Sequence, residues 1–279
     1  MLSMHTKKDL LAFVAIAILF GAVAFTTTSD VFARTSDAKN KSDNSNRSSK
    51  GPQDNTAIHW VSTEASPTTD AESEYTTSFK TENCTFSSTG RNPFFILEPN
   101  YQLVLAGVDA GEEAGLTITV LNETREVNGT ETRVIEERET LGGQLVEVSR
   151  NFFAICEETN SVFYFGEEVD EYENGRLVAH PGAWLAGEDA NKAGIIMPGT
   201  ILLGARYYQE IAPNVALDRA EIAVMNEQIQ TPAGDFTDTL ITQETTPLEP
   251  DVVELKYYAA GVGLIQEEEL KLEQYGFIE

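Results

Sequence analysis

Apolar and polar residues alternate along most of the chain beyond residue 100, and short glycine turns break the alternation at regular intervals. Leu116, Ile118 and Val120 alternate with Thr117, Thr119 and Leu121, a period of two that sends one set to each face of a strand. Asn128-Gly129, Gly142-Gly143 and Asn174-Gly175 each separate runs rich in Val, Ile, Thr, Phe and Tyr, the strongest short-range hairpin signal. The pattern predicts strands over 101–108, 130–140, 144–156 and 161–173, then over 205–210, 220–230, 236–245 and 252–259, with the tail from 266 to 273 read as strand. Between them, 180–204 holds Gly182, Gly187, Gly194, Pro198, Gly199 and Gly204 with no sustained period. It reads as one long loop, structured because Trp184, Ile195, Ile196 and Met197 rarely sit in solvated chain.

Strands of 11 to 13 residues exceed the usual 5 or 6, so the sheet must twist and curl. The expected fold is all-β: a strongly curled antiparallel sheet or open barrel with one long structured loop. Phe152-Phe153 and Tyr257-Tyr258 are adjacent pairs whose members must point to opposite faces. Both faces of those strands are therefore expected to be covered, with an interior able to take a ligand. Phe163, Tyr164, Trp184 and Met197 are the candidate ligand-binding residues.

Before residue 91 the pattern is different. Lys7 and Lys8 precede an uncharged run over 10–25, and Val31-Phe32-Ala33 ends in a small residue, which together read as a secretory signal spanning 1–33. An uncleaved N-terminal anchor is the alternative. Ser, Thr, Asn, Asp and Lys dominate the segment that follows, a composition that buries too little to offset the entropy of ordering. Residues 34–90 are read as a flexible polar tether and 91–279 as a single antiparallel β domain. Sequons at Asn40, Asn46, Asn83, Asn122 and Asn128 are possible glycan acceptors in an exported chain. Cys84 and Cys156, the only cysteines, suit a disulfide in an oxidising exterior. Cys156 equally suits a buried free thiol on its apolar strand, and sequence leaves both open.

Charge narrows the function. Residues 1–50 hold seven of the 19 Lys and Arg and four of the 45 Asp and Glu, leaving 12 basic against 41 acidic residues. A net charge of −29 over that remainder argues against nucleic acid as partner. The carboxylates Glu167, Glu168, Asp170, Glu171 and Glu173 crowd one hairpin, and oxygen ligands of this kind suit Ca²⁺. Asp170 with Glu188, Asp189 and His180 form the candidate cation set. One histidine after residue 60 excludes a zinc site of several His or Cys ligands and a hydrolase triad with a choice of base. Gly261-Val262-Gly263 lacks the third glycine of a dinucleotide loop.

Three segments, Asn92-Pro93-Phe94-Phe95-Ile96-Leu97-Glu98-Pro99, Pro232-Ala233-Gly234-Asp235-Phe236 and Tyr257-Tyr258-Ala259-Ala260-Gly261-Val262-Gly263-Leu264, resemble a diffuse family of exported bacterial and archaeal β-rich proteins of unknown function. In that family the first reads Asn-Pro-Tyr-Phe-x-Leu-x-Pro-Gly and the last Tyr-Tyr-Ala-Pro-Gly-Val-Gly-Leu. The resemblance covers about residues 91 to 269. It implies a curled antiparallel sheet similar to the lipoprotein-carrier fold, and no established activity. Asn100 and Ala260 replace the Gly and Pro of such relatives, a change confined to local turns.

The expectation is a secreted or surface-tethered, non-enzymatic protein that binds an apolar small molecule or an envelope protein, without nucleic acid, and touching a membrane only through an uncleaved N-terminus. An envelope Ca²⁺-binding module is the alternative, and a carbohydrate hydrolase using two carboxylates the third reading.

Overall fold

The computed structural model describes residues Glu74–Glu279. The signal segment, the tether up to residue 73 and the sequons at Asn40 and Asn46 lie outside the described residues. Eleven strands of five residues or more follow one another: β1 (Tyr101–Asp109), β2 (Glu112–Val127), β3 (Thr130–Leu141), β4 (Gln144–Cys156), β5 (Ser161–Glu173), β6 (Lys192–Met197), β7 (Arg219–Met225), β8 (Thr239–Thr246), β9 (Glu249–Ala259), β10 (Gly263–Glu267) and β11 (Leu270–Phe277). The all-β expectation holds, and no helix among the described residues is long and apolar enough to cross a membrane. The three predicted turns have both central residues in the left-handed region: φ is 49° and 76° at Asn128-Gly129, 58° and 74° at Gly142-Gly143, and 51° and 72° at Asn174-Gly175. Turns of that hand match the right-handed twist of the strands they join. Asn100 also takes a positive φ of 68°, which asparagine tolerates better than most residues.

The strands form one antiparallel series in the order Arg206–Tyr208, β7, β8, β9, β10, β11, β1, β2, β3, β4, β5, β6, Glu210–Ile211. The first and last members are separated in the chain only by Gln209. The sheet therefore curls until its two edges meet at a single residue, giving a barrel that is nearly closed, with one seam that no ladder seals. Gly194 on β6 lies at this seam. A Cβ there would sit 2.5 Å from the carbonyl oxygens of both Tyr208 and Gln209, so only glycine lets the crossing chain approach. Gly194→Ala should cost about 1–3 kcal/mol, the usual range for overpacking, measured as a lowered urea midpoint.

The predicted long loop is shorter than its sequence suggests. Trp184–Leu185 and Lys192–Met197 both pair with β5, so much of 180–204 belongs to the barrel wall. The second of these strands spans only six residues and is hemmed by Gly194, Pro198 and Gly199, punctuation that hides a strand from periodicity.

The tether boundary at residue 90 also moves. Thr76 forms a parallel bridge with Tyr207, Phe86–Ser87 pairs with Cys156 and Ile155, and Cys84 is disulfide-bonded to Cys156 with Cα atoms 5.1 Å apart. Phe79 and Phe86 meet Phe163 edge-on at 6.1 and 5.3 Å, and Phe86 meets Phe165 at 5.1 Å. The segment from Glu74 is thus a strap over the outer face of β4 and β5. Its composition conceals this because three anchors suffice when the barrel supplies the other half of the contact. Asn83, Asn122 and Asn128 are all exposed, as glycan acceptors must be.

The disulfide closes a loop with a sequence separation of 72, and its loss should cost about 2–4 kcal/mol. Cys84→Ala/Cys156→Ala should lower the denaturation midpoint accordingly and make Lys80 in the strap accessible to trypsin while the barrel persists. A strap still protected in that variant would show that the aromatic contacts alone hold it.

Candidate functional site

The inner face of the barrel is set by cross-strand register. Ile118 of β2 stands opposite Glu137 of β3, which stands opposite Ser149 of β4. One step along, Leu116, Glu139, Glu147 and Glu171 form a row across β2 to β5. Two bulges then alter the period. On β5 the three steps from Tyr164 to Glu167 face only two on β4, Phe153 to Asn151. On β10 the three steps from Leu264 to Glu267 face the two from Tyr258 to Lys256 on β9. Each bulge brings an apolar or aromatic residue and a glutamate three positions later onto the same inner face, which simple alternation would forbid. Gly166, at φ 145°, sits within the β5 bulge, where a Cβ would run into the backbone of Trp184.

These inner residues enclose a cavity of about 90 Å³. A single water needs on the order of 10–15 Å³, so the space exceeds that of one solvent molecule. Phe95, Tyr101, Phe153, Tyr164 and Tyr258 supply aromatic wall, and Ile96, Leu103, Ile118, Val120, Ile135 and Leu264 most of the rest. Phe95 and Ile96 come from the hairpin Gly90–Asn92/Phe95–Leu97, which lies at the barrel end carrying the Asn128-Gly129 turn. Asn92 fixes that hairpin: its Nδ2 donates to the carbonyls of Asn160 at 2.8 Å and Pro198 at 2.9 Å. Tyr101 donates to the Val262 carbonyl at 2.8 Å, and Tyr164 to Asn151 Oδ1 at 2.6 Å.

Toward the other end the wall becomes charged. Glu137, Lys256 and Glu267 border the apolar cavity and also a smaller space of about 20 Å³, completed by Leu116, Glu139, Glu147 and Ser149. Lys256 Nζ lies 3.0 Å from Glu267 Oε1 and 3.4 Å from Glu244 Oε2, and Thr242 donates to Glu244 Oε1 at 3.0 Å. Burial opposes the lysine's charge, but Glu244 and Glu267 outweigh it and hold its pKa well above the ordinary value. The remaining carboxyls feel this lysine only at longer range. Burial pushes Glu137 up to about 7, with Lys256 pulling the other way and Glu267 and Glu147 adding to the rise. Burial and then Glu171 push Glu147 up to about 7, and burial pushes Glu254 up to about 8. Glu139 is raised by burial first and then by Glu147.

Of the sequence-derived ligand residues, Tyr164 lines the cavity. Trp184 is buried against it, ring centroids 5.2 Å apart, and forms a second layer. Phe163 faces outward beneath the strap, and Met197 is fully buried in the core. Of the cation set, His180 Nδ1 and Asp170 Oδ1 are 2.7 Å apart, while Glu188 and Asp189 are exposed elsewhere on the surface. Among the described residues, the group of three potential ligand atoms within 4.8 Å of one another is Cys84, Cys156 and Glu158, and its sulfurs are already joined to each other. Comparison with protein-family models, with curated proteins and with solved structures finds no match.

Sequence reasoning missed Lys256, Glu137, Glu139, Glu147 and Glu267. Around Lys256 the hydrophobic pattern is inverted: Val253 and Leu255 are 56% and 39% exposed, while the lysine is 8% exposed. In Glu136-Glu137-Arg138-Glu139 every residue is charged, so nothing marks the inner pair.

The raised carboxyls make stability depend on pH. A carboxyl whose folded pKa exceeds its unfolded value binds more protons when folded, so its contribution is complete below about 4.5 and is lost as pH rises through about 7. Melting temperature should therefore fall between pH 5 and pH 8.5. Glu137→Gln and Glu147→Gln should each flatten that decline and stabilise at pH 8 by about 1–3 kcal/mol, whereas Glu188→Gln, on the surface, should leave it unchanged.

Proposed function

We propose that this protein is a non-enzymatic binding protein that holds a small apolar or amphipathic molecule inside its barrel. The observation that carries the reading is the interior cavity itself, walled by five aromatic rings and bordered at one end only by ionisable groups. Ligand sites of this kind are concave, mostly apolar and supplied with few polar groups that fix orientation. The disulfide between Cys84 and Cys156 supports work in an oxidising compartment, consistent with export to the cell surface or beyond.

Fluorobenzene is a suitable neutral probe. It should raise the melting temperature of the full chain through mass action and show exchange-broadened ¹⁹F resonances on titration. Ile118→Phe, which extends a ring into the cavity, should abolish both effects and retain the fold. Equal response from the wild type and Ile118→Phe, or none from the wild type at millimolar probe, would rule out the interior site.

A further inference from the structure

Four glutamates and one lysine border the two interior spaces, which share Glu137, Lys256 and Glu267 as a common wall and are completed on the charged side by Glu139 and Glu147. The lysine is already engaged by Glu267 and by Glu244 behind it. Among the described residues, no protein group donates a hydrogen bond to Glu137, Glu139 or Glu147. Glu139 and Glu147 stand directly opposite each other, and Glu147 opposite Glu171, an arrangement of like groups that is unfavourable across a sheet without something between them.

An independent observation points the same way. Glu167 is 1% exposed, and neither of its carboxylate oxygens has a hydrogen-bond partner. It stands on the inner face opposite Asn151, in the layer behind the cavity wall, and lines neither of the two spaces itself. The polar group beside it is the Tyr164 hydroxyl, whose one proton goes to Asn151 Oδ1, so Glu167 is left without a donor. The turns that frame this end of the barrel carry Asp109, Glu112, Glu113, Glu173, Glu268 and Glu269 against Arg176, and a predominantly acidic rim concentrates cationic ligands.

We infer that the interior site takes a ligand whose polar end is a protonated amine, carried on a small apolar body. The inference rests on the interior-binding reading and adds the ligand's chemical class. An ammonium group provides three donors to carboxyls that have none, and a second positive charge to a cluster that shares one lysine. Its apolar body fits the aromatic lobe walled by Tyr164, Tyr258 and Phe153. A bare divalent ion fits less well. Calcium needs six to eight oxygens held close together, among the described residues no three interior carboxylates bring an oxygen each within 4.8 Å of one another, and an ion would leave the apolar lobe without a role.

Benzylamine, protonated at neutral pH, tests this against benzyl alcohol and benzoate, which share its size and ring. By calorimetric titration of the full chain in 150 mM NaCl at pH 7, benzylammonium should bind at least tenfold more tightly than benzyl alcohol, and benzoate should not bind. Glu137→Gln should weaken benzylammonium five- to tenfold and leave fluorobenzene binding unchanged. Surface Glu188→Gln should change neither. Benzyl alcohol binding as tightly as benzylammonium, or benzoate binding better, would overturn the amine assignment while the interior site stands. Failure of fluorobenzene and all three benzyl probes would overturn both. The wild-type comparison decides the matter even if a variant fails to fold.

Discussion

A single lysine inside the barrel organises everything around it. Lys256 is surrounded by wall residues, and burial alone would strip its proton. It stays charged because Glu267 and Glu244 lie on the neighbouring strands at 3.0 and 3.4 Å. A buried pair of this sort adds little net stability, since desolvation consumes most of the attraction, but losing one partner leaves an uncompensated charge. The β10 bulge that turns Glu267 inward is therefore a requirement of the site. Through that cluster the interior divides into an apolar lobe beside the hairpin and a polar lobe beside the acidic turns, which gives any occupant a direction.

How much of this the amino-acid sequence discloses depends on whether a strand's two faces differ in chemistry. β4 and β5 were legible to the residue because apolar runs end at turns with unmistakable glycines. The adjacent aromatic pairs also disclosed their meaning: Phe153 lines the cavity while Phe152 lies outside under the guanidinium of Arg125. The interior carboxyls were not legible, because β3 reads as charge on both faces and β9 exposes Val253 and Leu255 while burying Lys256. The bulges were hidden for a different reason. A bulge changes which residues share a face without changing composition, so Tyr164 and Glu167 come together only once the register is known. The cation set drawn from the acidic hairpin fell on the outer face, where Asp170 meets His180.

The strap shows how little sequence an anchored segment needs. From Glu74 to Asn83 its only large apolar side chains are Tyr75 and Phe79, yet the outer face of β5 offers Phe163 and Phe165 as a ready surface. The same strand thus serves two purposes, with Tyr164 turned to the cavity and its neighbours turned to the strap. Cys156, at the end of β4, then makes the attachment covalent.

The seam at Gln209 has a consequence for the order of assembly. β1 to β6 form one meander and β7 to β11 another, each built from neighbours in sequence. The halves are joined on one side by continuous chain through Gln209 and on the other by a single distant ladder, in which Ala106 pairs with Lys271. Contacts between neighbours close small loops and form early, whereas that ladder must close a loop of most of the domain. The two sheets can consequently take shape as separate hairpin stacks and swing together about Gln209, like leaves on a hinge, with the β11 to β1 ladder engaging last. Until it does, β1 and β11 are both free edges able to pair with another molecule, so the slowest contact to form is also the one that keeps the chains apart.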